Sequence, residues 1–245
     1  MNIRLLSRFL ALALLSPLAA SAATWRVSPQ DGEAALQAAL DRAADGDEIL
    51  VAPGEYPPIA LASAKSLLVR SEAGPKNTFL SAGGTDRCAT FLDSGGSPAA
   101  LVTLEGFTLS GGVAADGEGG GVLGGRLLRC ILRDNAALFG GGAAGAVLEN
   151  CLLAGNAADV AGGGAVSSDL VNCTVAGNRA GGTGGGASGC TLANTIVQAN
   201  ASPDGADAVG CLAAFSCTTP LLPGEGNTAS DAGFADAAKG DEEAI

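Results

Sequence analysis

Hydrophobic positions along this chain recur with a period much longer than that of a helix or a strand. Leucine returns at Leu104, Leu127, Leu148, Leu170 and Leu192, and a second apolar series runs through Leu109, Leu132, Leu153, Val175 and Val197. Between them lies a cysteine-led series, Phe107, Cys130, Cys151, Cys173, Thr195 and Cys217, and five residues behind its four middle members stand asparagines: Asn135, Asn156, Asn178 and Asn200. Glycine triplets punctuate the same stretch at 119–121, 140–142, 162–164 and 184–186, in steps of 21, 22 and 22 residues. Three landmarks repeating in phase indicate a solenoid whose unit is one coil of about 22 residues.

The unit reads as strand, bend, strand. The apolar residue two after each cysteine shares a strand face with it, and that face should point inward. The leucine three before has the opposite parity, so the chain must bend between the two for both to reach the core. Like residues then stack in successive coils, about 4.8 Å apart. The asparagines fall where a strand should end, and stacked amides can bond along such a column. Asn150, Asn172 and Asn194 form a second, partial column. The glycine triplets allow tight turns and close approach of neighbouring backbone. The residue after each cysteine position should face outward, which gives a stripe of Thr108, Ile131, Leu152, Thr174, Ile196 and Thr218. The spaced-leucine signature of leucine-rich repeats is absent, and helical repeats would not tolerate a glycine triplet in every unit.

Upstream the pattern changes. Ala35, Leu36, Ala39, Leu40 and Ala43 recur at helical spacing, so a helix is expected over 31–44, with Asp31 as N-cap and Gly46 as its end. Glu48–Val51, 67–70 and 78–80 read as strands. A helix before the coils suits a cap that shields an open apolar edge. At the N-terminus, Arg4 and Arg8, the apolar run 9–15 and Ala20-Ser21-Ala22 have the form of a cleaved secretory leader. The expected organisation is a leader over 1–22, a cap over 23–47, a solenoid of roughly eight coils over 48–235 and a tail or truncated cap over 236–245. No later stretch is long and apolar enough for a membrane helix.

Composition narrows the core. Hydrophobic residues make up 47% of the chain, yet there are 38 glycines, one Trp, one Tyr and seven Phe, which implies closely stacked layers of small residues. Losing Arg4 and Arg8 with the leader would take the formal charge from −12 to −14. Such acidity disfavours nucleic acid and anionic membranes as partners. Calcium is the cation that an acidic exported chain would attract, but it needs clustered ligands, and none is evident; no cofactor is expected. The spacing of the seven cysteines lacks any CxxC, so zinc is not indicated. The stacked cysteines could be reduced core residues or bridged between coils.

Candidate chemistry is sparse. Ligands or catalytic acids on a solenoid should share a column, but Asp134 is followed by Gly155, Gly177 and Ala199, and Glu105 and Glu149 are separated by Leu128. Histidine, the commonest general base, is absent. The weak catalytic candidates are the local pair Asp116 and Glu118, with Arg126 as a base or an anchor for uronates and Arg129 and Arg133 behind it. The competing candidate is the outward stripe from Thr108 to Thr218, a partly apolar surface for an extended partner.

At its glycine and asparagine landmarks the chain resembles the right-handed parallel β-helix superfamily, which includes pectate-lyase-like enzymes and many bacterial surface proteins. Residues 173–187, from the cysteine through Asn178 to the triplet 184–186, are similar to the repeats of polymorphic outer-membrane proteins. The stretch 34–56 resembles the N-terminal cap of exported β-helix proteins, and 231–241 resembles their closing region. The resemblance implies an all-β, single-stranded right-handed parallel β-helix with an N-terminal capping helix. It also implies export to the periplasm, the cell surface or the medium of a bacterium. The expected role is a non-catalytic binding, adhesin-like or structural one, with a polysaccharide or cell-surface ligand as partner; the alternative is a carbohydrate-active enzyme, a polysaccharide lyase or glycoside hydrolase.

Overall fold

A computed structural model describes residues 22–99 and 101–233; the leader expected over 1–22 lies almost wholly outside them, as does most of the closing segment 231–241. The chain winds as a parallel β-helix with four walls. The first is a nine-stranded sheet running from Thr24–Val27 through Glu48–Val51, Leu67–Ser71, Val102–Glu105, Arg126–Leu128, Val147–Glu149, Asp169–Val171 and Thr191–Ala193 to Leu212–Ala214. The second has eight strands, among them Thr108–Ser110, Ile131–Arg133, Leu152–Ala154, Thr174–Ala176 and Ile196–Gln198. The third has only four, Val113–Glu118, Ala136–Phe139, Ala157–Ala161 and Arg179–Ala180, and the fourth has seven short ones. Every pairing between successive coils is parallel, and Leu104, Leu127, Leu148, Leu170 and Leu192 fall in register.

The first wall already contains Thr24–Val27, paired with Glu48–Val51. The solenoid therefore begins at residue 24 rather than 48 and runs to nine levels rather than eight, because the helix is an insertion within the first coil. That helix spans Ala35–Arg42, shorter than expected, and its N-cap is Ala34 rather than Asp31. Asp31 instead closes a short 3-10 turn, Pro29–Asp31, where its carboxylate accepts the N–H and the hydroxyl of Ser28. The helix buries Leu36, Ala39 and Leu40 over the open end of the coils. Gln37 pins it to the first strand of the fourth wall, exchanging two 2.8 Å bonds with the backbone of Ala60.

The bends that the repeat requires are single residues in the left-handed region. Between the first and second walls they are Gly106, Arg129, Asn150, Asn172, Asn194 and Phe215, with φ between 47° and 75°. The second asparagine column is thus a set of exposed corner residues, chosen because Asn tolerates positive φ, and not an internal ladder. After every one of these corners except Gly106, which is followed by Phe107, the chain turns a small acceptor inward. The N–H of Cys130 donates to Cys151 Sγ at 3.4 Å, that of Cys173 to Thr195 Oγ1 at 3.3 Å, and that of Thr195 to Ser216 Oγ at 3.1 Å. Cysteine, threonine and serine share this column because each offers an acceptor to the coil before it. All seven cysteines are free thiols, and burial pushes the Cys88 thiol up to about 12.

The first asparagine column is an internal amide ladder. Asn135, Asn156 and Asn178 are each 1% exposed, and their Nδ2 groups donate up the column to the next asparagine at 2.9–3.0 Å. The ladder ends on Asp207, whose carboxylate accepts the Asn200 N–H at 2.6 Å and whose own ionisation is pushed up by burial. Glycine is required beside this ladder. Gly140 sits at φ 62°, and a Cβ on Gly141 would lie 2.2 Å from the Ala157 carbonyl.

Candidate functional site

The charged residues set aside for catalysis occupy two different walls. Asp116 and Glu118 stand on Val113–Glu118 of the third wall. That strand bulges: Ala114 pairs with Ala137 and Glu118 with Phe139, so Ala115, Asp116 and Gly117 lie between successive pairings. Both carboxylates are exposed. Their neighbour is Arg87, whose Nε donates to the Glu118 carbonyl at 2.8 Å. Sequence reasoning missed Arg87, because it lies in the long coil between Leu68 and Thr103, a step of 35 residues in which the repeat is lost.

Arg126 is not part of that group. It projects from the first wall and pairs with Glu149 of the next coil. The same wall carries Arg70 against Glu48, with Nε to Oε1 at 2.9 Å; at its corner Arg129 stands 3.3 Å from Glu105, while Arg133 on the second wall stands 3.5 Å from Asp134. The pairing with Glu48 raises the Arg70 guanidinium further above its ordinary value. Solvent screens such exposed pairs, so they add little to stability. Glu105 and Glu149 are separated by Leu128, in register with both. Among the described residues no group of three or more Cys, Asp or Glu side chains could hold a metal ion.

The outward stripe is formed by Thr108, Ile131, Leu152, Thr174 and Ile196, in register on successive coils. Its last member is Cys217, not Thr218, because Ile196 pairs with Cys217 and Val197 with Thr218. Thr218 faces inward and is fully buried; the final coil is one residue shorter, and Ser216 takes the inward acceptor position. The stripe is also not an open surface. Thr108, Ile131 and Leu152 are 2%, 4% and 1% exposed, and Thr174 and Ile196 are half-buried. Ile131, Leu152 and Ala154 make an apolar cluster of their own, separate from the main core. Two shallow cavities, of about 260 and 350 Å³, lie at the other end of the molecule and share Arg26, Val27 and Asp31.

No protein-family model and no curated protein matches this chain. Among solved structures, the chain is similar to pectin methylesterase PemA from Erwinia chrysanthemi, at 13% identity over 82% of this chain and 71% of that one, with a TM-score of 0.44. It is also similar to an alginate lyase from Paenibacillus sp. str. FPU-7, at 14% identity over 85% and 98% of the two chains with a TM-score of 0.30. Pectate lyase Pel9A matches at 13% identity over 88% and 57%, also with a TM-score of 0.30. The architecture, read from the chain's own strand pairing, is that of a parallel β-helix.

Proposed function

We propose that this chain is an exported β-helix that works at the bacterial cell surface, in the periplasm or in the medium as a non-catalytic binding or structural module. The observation that carries the reading is the pairing of charge along the first wall, where Arg70, Arg126 and Arg129 are each engaged by a glutamate of a neighbouring coil. A base that takes a proton from a sugar ring must be free to approach it; each of these guanidinium groups instead faces a carboxylate of a neighbouring coil. Export is supported by the leader pattern of Arg4, Arg8, the apolar run 9–15 and Ala20-Ser21-Ala22. A polysaccharide or cell-surface ligand is the partner class that fits an acidic chain outside the cytoplasm.

One observation favours a second reading, a carbohydrate-active enzyme: Asp116 and Glu118 stand exposed on a bulged strand beside Arg87. One experiment separates the two. The exported protein is incubated with acidic and neutral polysaccharides, with and without calcium, and then sedimented with insoluble glycans and whole cells. Binding without release of reducing or unsaturated ends is expected. Release that disappears in Asp116→Asn or Glu118→Gln would establish the enzyme instead. N-terminal sequencing of the exported protein should begin at Ala23; retention of Met1 would remove the export argument.

A further inference from the structure

Two of the buried cysteines stand apart from the column led by Cys130. Cys190 and Cys211 lie at the corner between the fourth wall and the first, in an inward column of Ala146, Ser168, Cys190 and Cys211 on successive coils. The Cys190 N–H donates to Cys211 Sγ at 3.3 Å, so the later sulfur reaches back toward the earlier coil. Residues in register on neighbouring parallel strands are about 4.8 Å apart, inside the Cα range of about 4.4–6.8 Å that a disulfide accepts. Glycine precedes each cysteine, Gly189 at φ 62° and Gly210 at φ 65°. A Cβ on either glycine would meet its nearest heavy atom only at 3.9–4.0 Å. The corner therefore has room to shift, which the glycine triplets lack.

Position in the solenoid separates this pair from the other stacked thiols. Cys130, Cys151 and Cys173 are 0–2% exposed, and Thr195 and Ser216 follow them in the same column. Cys211 is the last member of its column among the described residues. Leu212–Ala214 is the final strand of the first wall, and Ala208–Val209 stands at one end of the fourth. Cys211 is 9% exposed, between the exposed Gly210 and Leu212. Its sulfur is thus the buried thiol nearest to solvent, with a second thiol directly behind it.

We propose that Cys190 and Cys211 are a redox pair, which a disulfide-bearing oxidant converts into one bond tying the last coil to the coil before it. Cys211 is the attacking thiol. The hydrogen bond from the Cys190 side chain, joined by the Cys190 N–H and opposed by burial, holds it down at about 7, while the same side-chain contact and burial push Cys190 up. The Cys211 thiolate attacks one sulfur of the oxidant, a mixed disulfide forms, and the other half leaves as a thiolate. That thiolate takes the Cys190 proton. Cys190 then attacks the Cys211 sulfur, and the second half of the oxidant leaves and takes up the proton that Cys211 lost. Two protein thiols are oxidised by two electrons, and one disulfide is reduced to two thiols. The bond closes a coil at the end of the array, where a repeat has a neighbour on one side only, and it restricts the unfolded chain. The pair is independent of the binding role proposed above; export would place it where such oxidants persist.

The test exposes the reduced full chain to glutathione disulfide, blocks the remaining thiols after denaturation, and maps peptides cut at Arg179, Asp204 and Phe215, which separates Cys173, Cys190, Cys211 and Cys217. A Cys190–Cys211 bridge is expected, with Cys130, Cys151 and Cys173 still thiols and a melting temperature several degrees above that of the reduced protein. Cys190→Ser should stop at the mixed disulfide of Cys211 with glutathione, and Cys211→Ser should leave Cys190 a thiol. Ser168 already fills this column one coil earlier, so serine suits both positions. No bridge in the folded parent, a bridge among Cys130, Cys151 and Cys173 in its place, or ready capture of glutathione by Cys190 in Cys211→Ser would overturn the inference. An oxidised parent that melts no higher than the reduced one would count equally against the tie between coils.

Discussion

The Asn178 Oδ1 atom accepts two hydrogen bonds from Asn156, one from its Nδ2 and one from its backbone N–H, both at 2.9 Å. The Asn156 amide also donates to the Leu132 carbonyl at 2.9 Å, so one side chain joins three coils. Asn156 is 1% exposed, so bulk solvent cannot reach in to replace these bonds. Asn156→Ala should therefore cost about 1–3 kcal/mol for each group left unpaired, read as a shift in the urea midpoint. Asn200→Ala, at the half-buried end of the ladder, should cost less. Equal losses at both positions would mean that the ladder is not what holds the coils together.

Strand parity sets a second expectation. Val175 is fully buried and Thr174, its neighbour, faces the other way and is half-buried. Val175→Asp places an unpaired charge in a core only a few side chains wide and should destabilise by about 3–5 kcal/mol. Thr174→Asp should cost about 1 kcal/mol or less. Thermal unfolding of the pair tests the inward assignment, and an unchanged melting temperature in Val175→Asp would refute it.

The corner residues make a third case, in which the effect lies in the backbone. Asn172 sits at φ 54° and is exposed. Asn172→Val should lose about 1–2 kcal/mol, because a β-branched residue is strained in the left-handed region, whereas Asn172→Gly should stay within about 0.5 kcal/mol of the parent. If valine and glycine behave alike in equilibrium unfolding, the corner is not under this constraint.

These cases show what the sequence could and could not reveal. The inward series of Leu132, Leu153, Val175 and Val197 was legible because periodicity reports core position directly. Thr218 was misplaced because a fixed 22-residue step was carried past Thr195 into a coil one residue shorter, where Ser216 does the work that a cysteine does elsewhere. The burial of Leu152 was not legible, since strand parity gives direction but not what lies opposite. Arg87 beside Glu118 was hidden for a related reason. Its neighbour is 31 residues away, across a coil with no repeat to fix the register. The helix onset failed locally: Asp31 has the right chemistry for an N-cap, but its carboxylate is taken by Ser28 in a separate turn.

The cap should be the acid-sensitive part of the molecule. Asp47 is 4% exposed, and its carboxylate accepts the Ala23 N–H at 2.7 Å, the Trp25 indole N–H at 2.9 Å and the Ala44 N–H at 2.9 Å. It therefore ties the first strand to the turn that follows the helix. The Trp25 bond, then those from Ala23 and Ala44, holds its ionisation below the ordinary value of 3.8. A depressed carboxyl stabilises the fold while it is ionised in both states, so its contribution is complete above the ordinary value and fades as pH falls through the folded value. Asp207 has the opposite sign, because burial raises its ionisation and makes the neutral acid the better fit. Comparing the parent with Asp47→Asn at each pH cancels Asp207 and every other group common to both. The variant should melt lower at neutral pH, and the gap should narrow as the pH falls below the ordinary value of 3.8. Indole fluorescence of Trp25, the sole tryptophan, reports the same transition at the cap itself. A gap that is constant across the acid range would show that the Asp47 charge is not what secures the first strand.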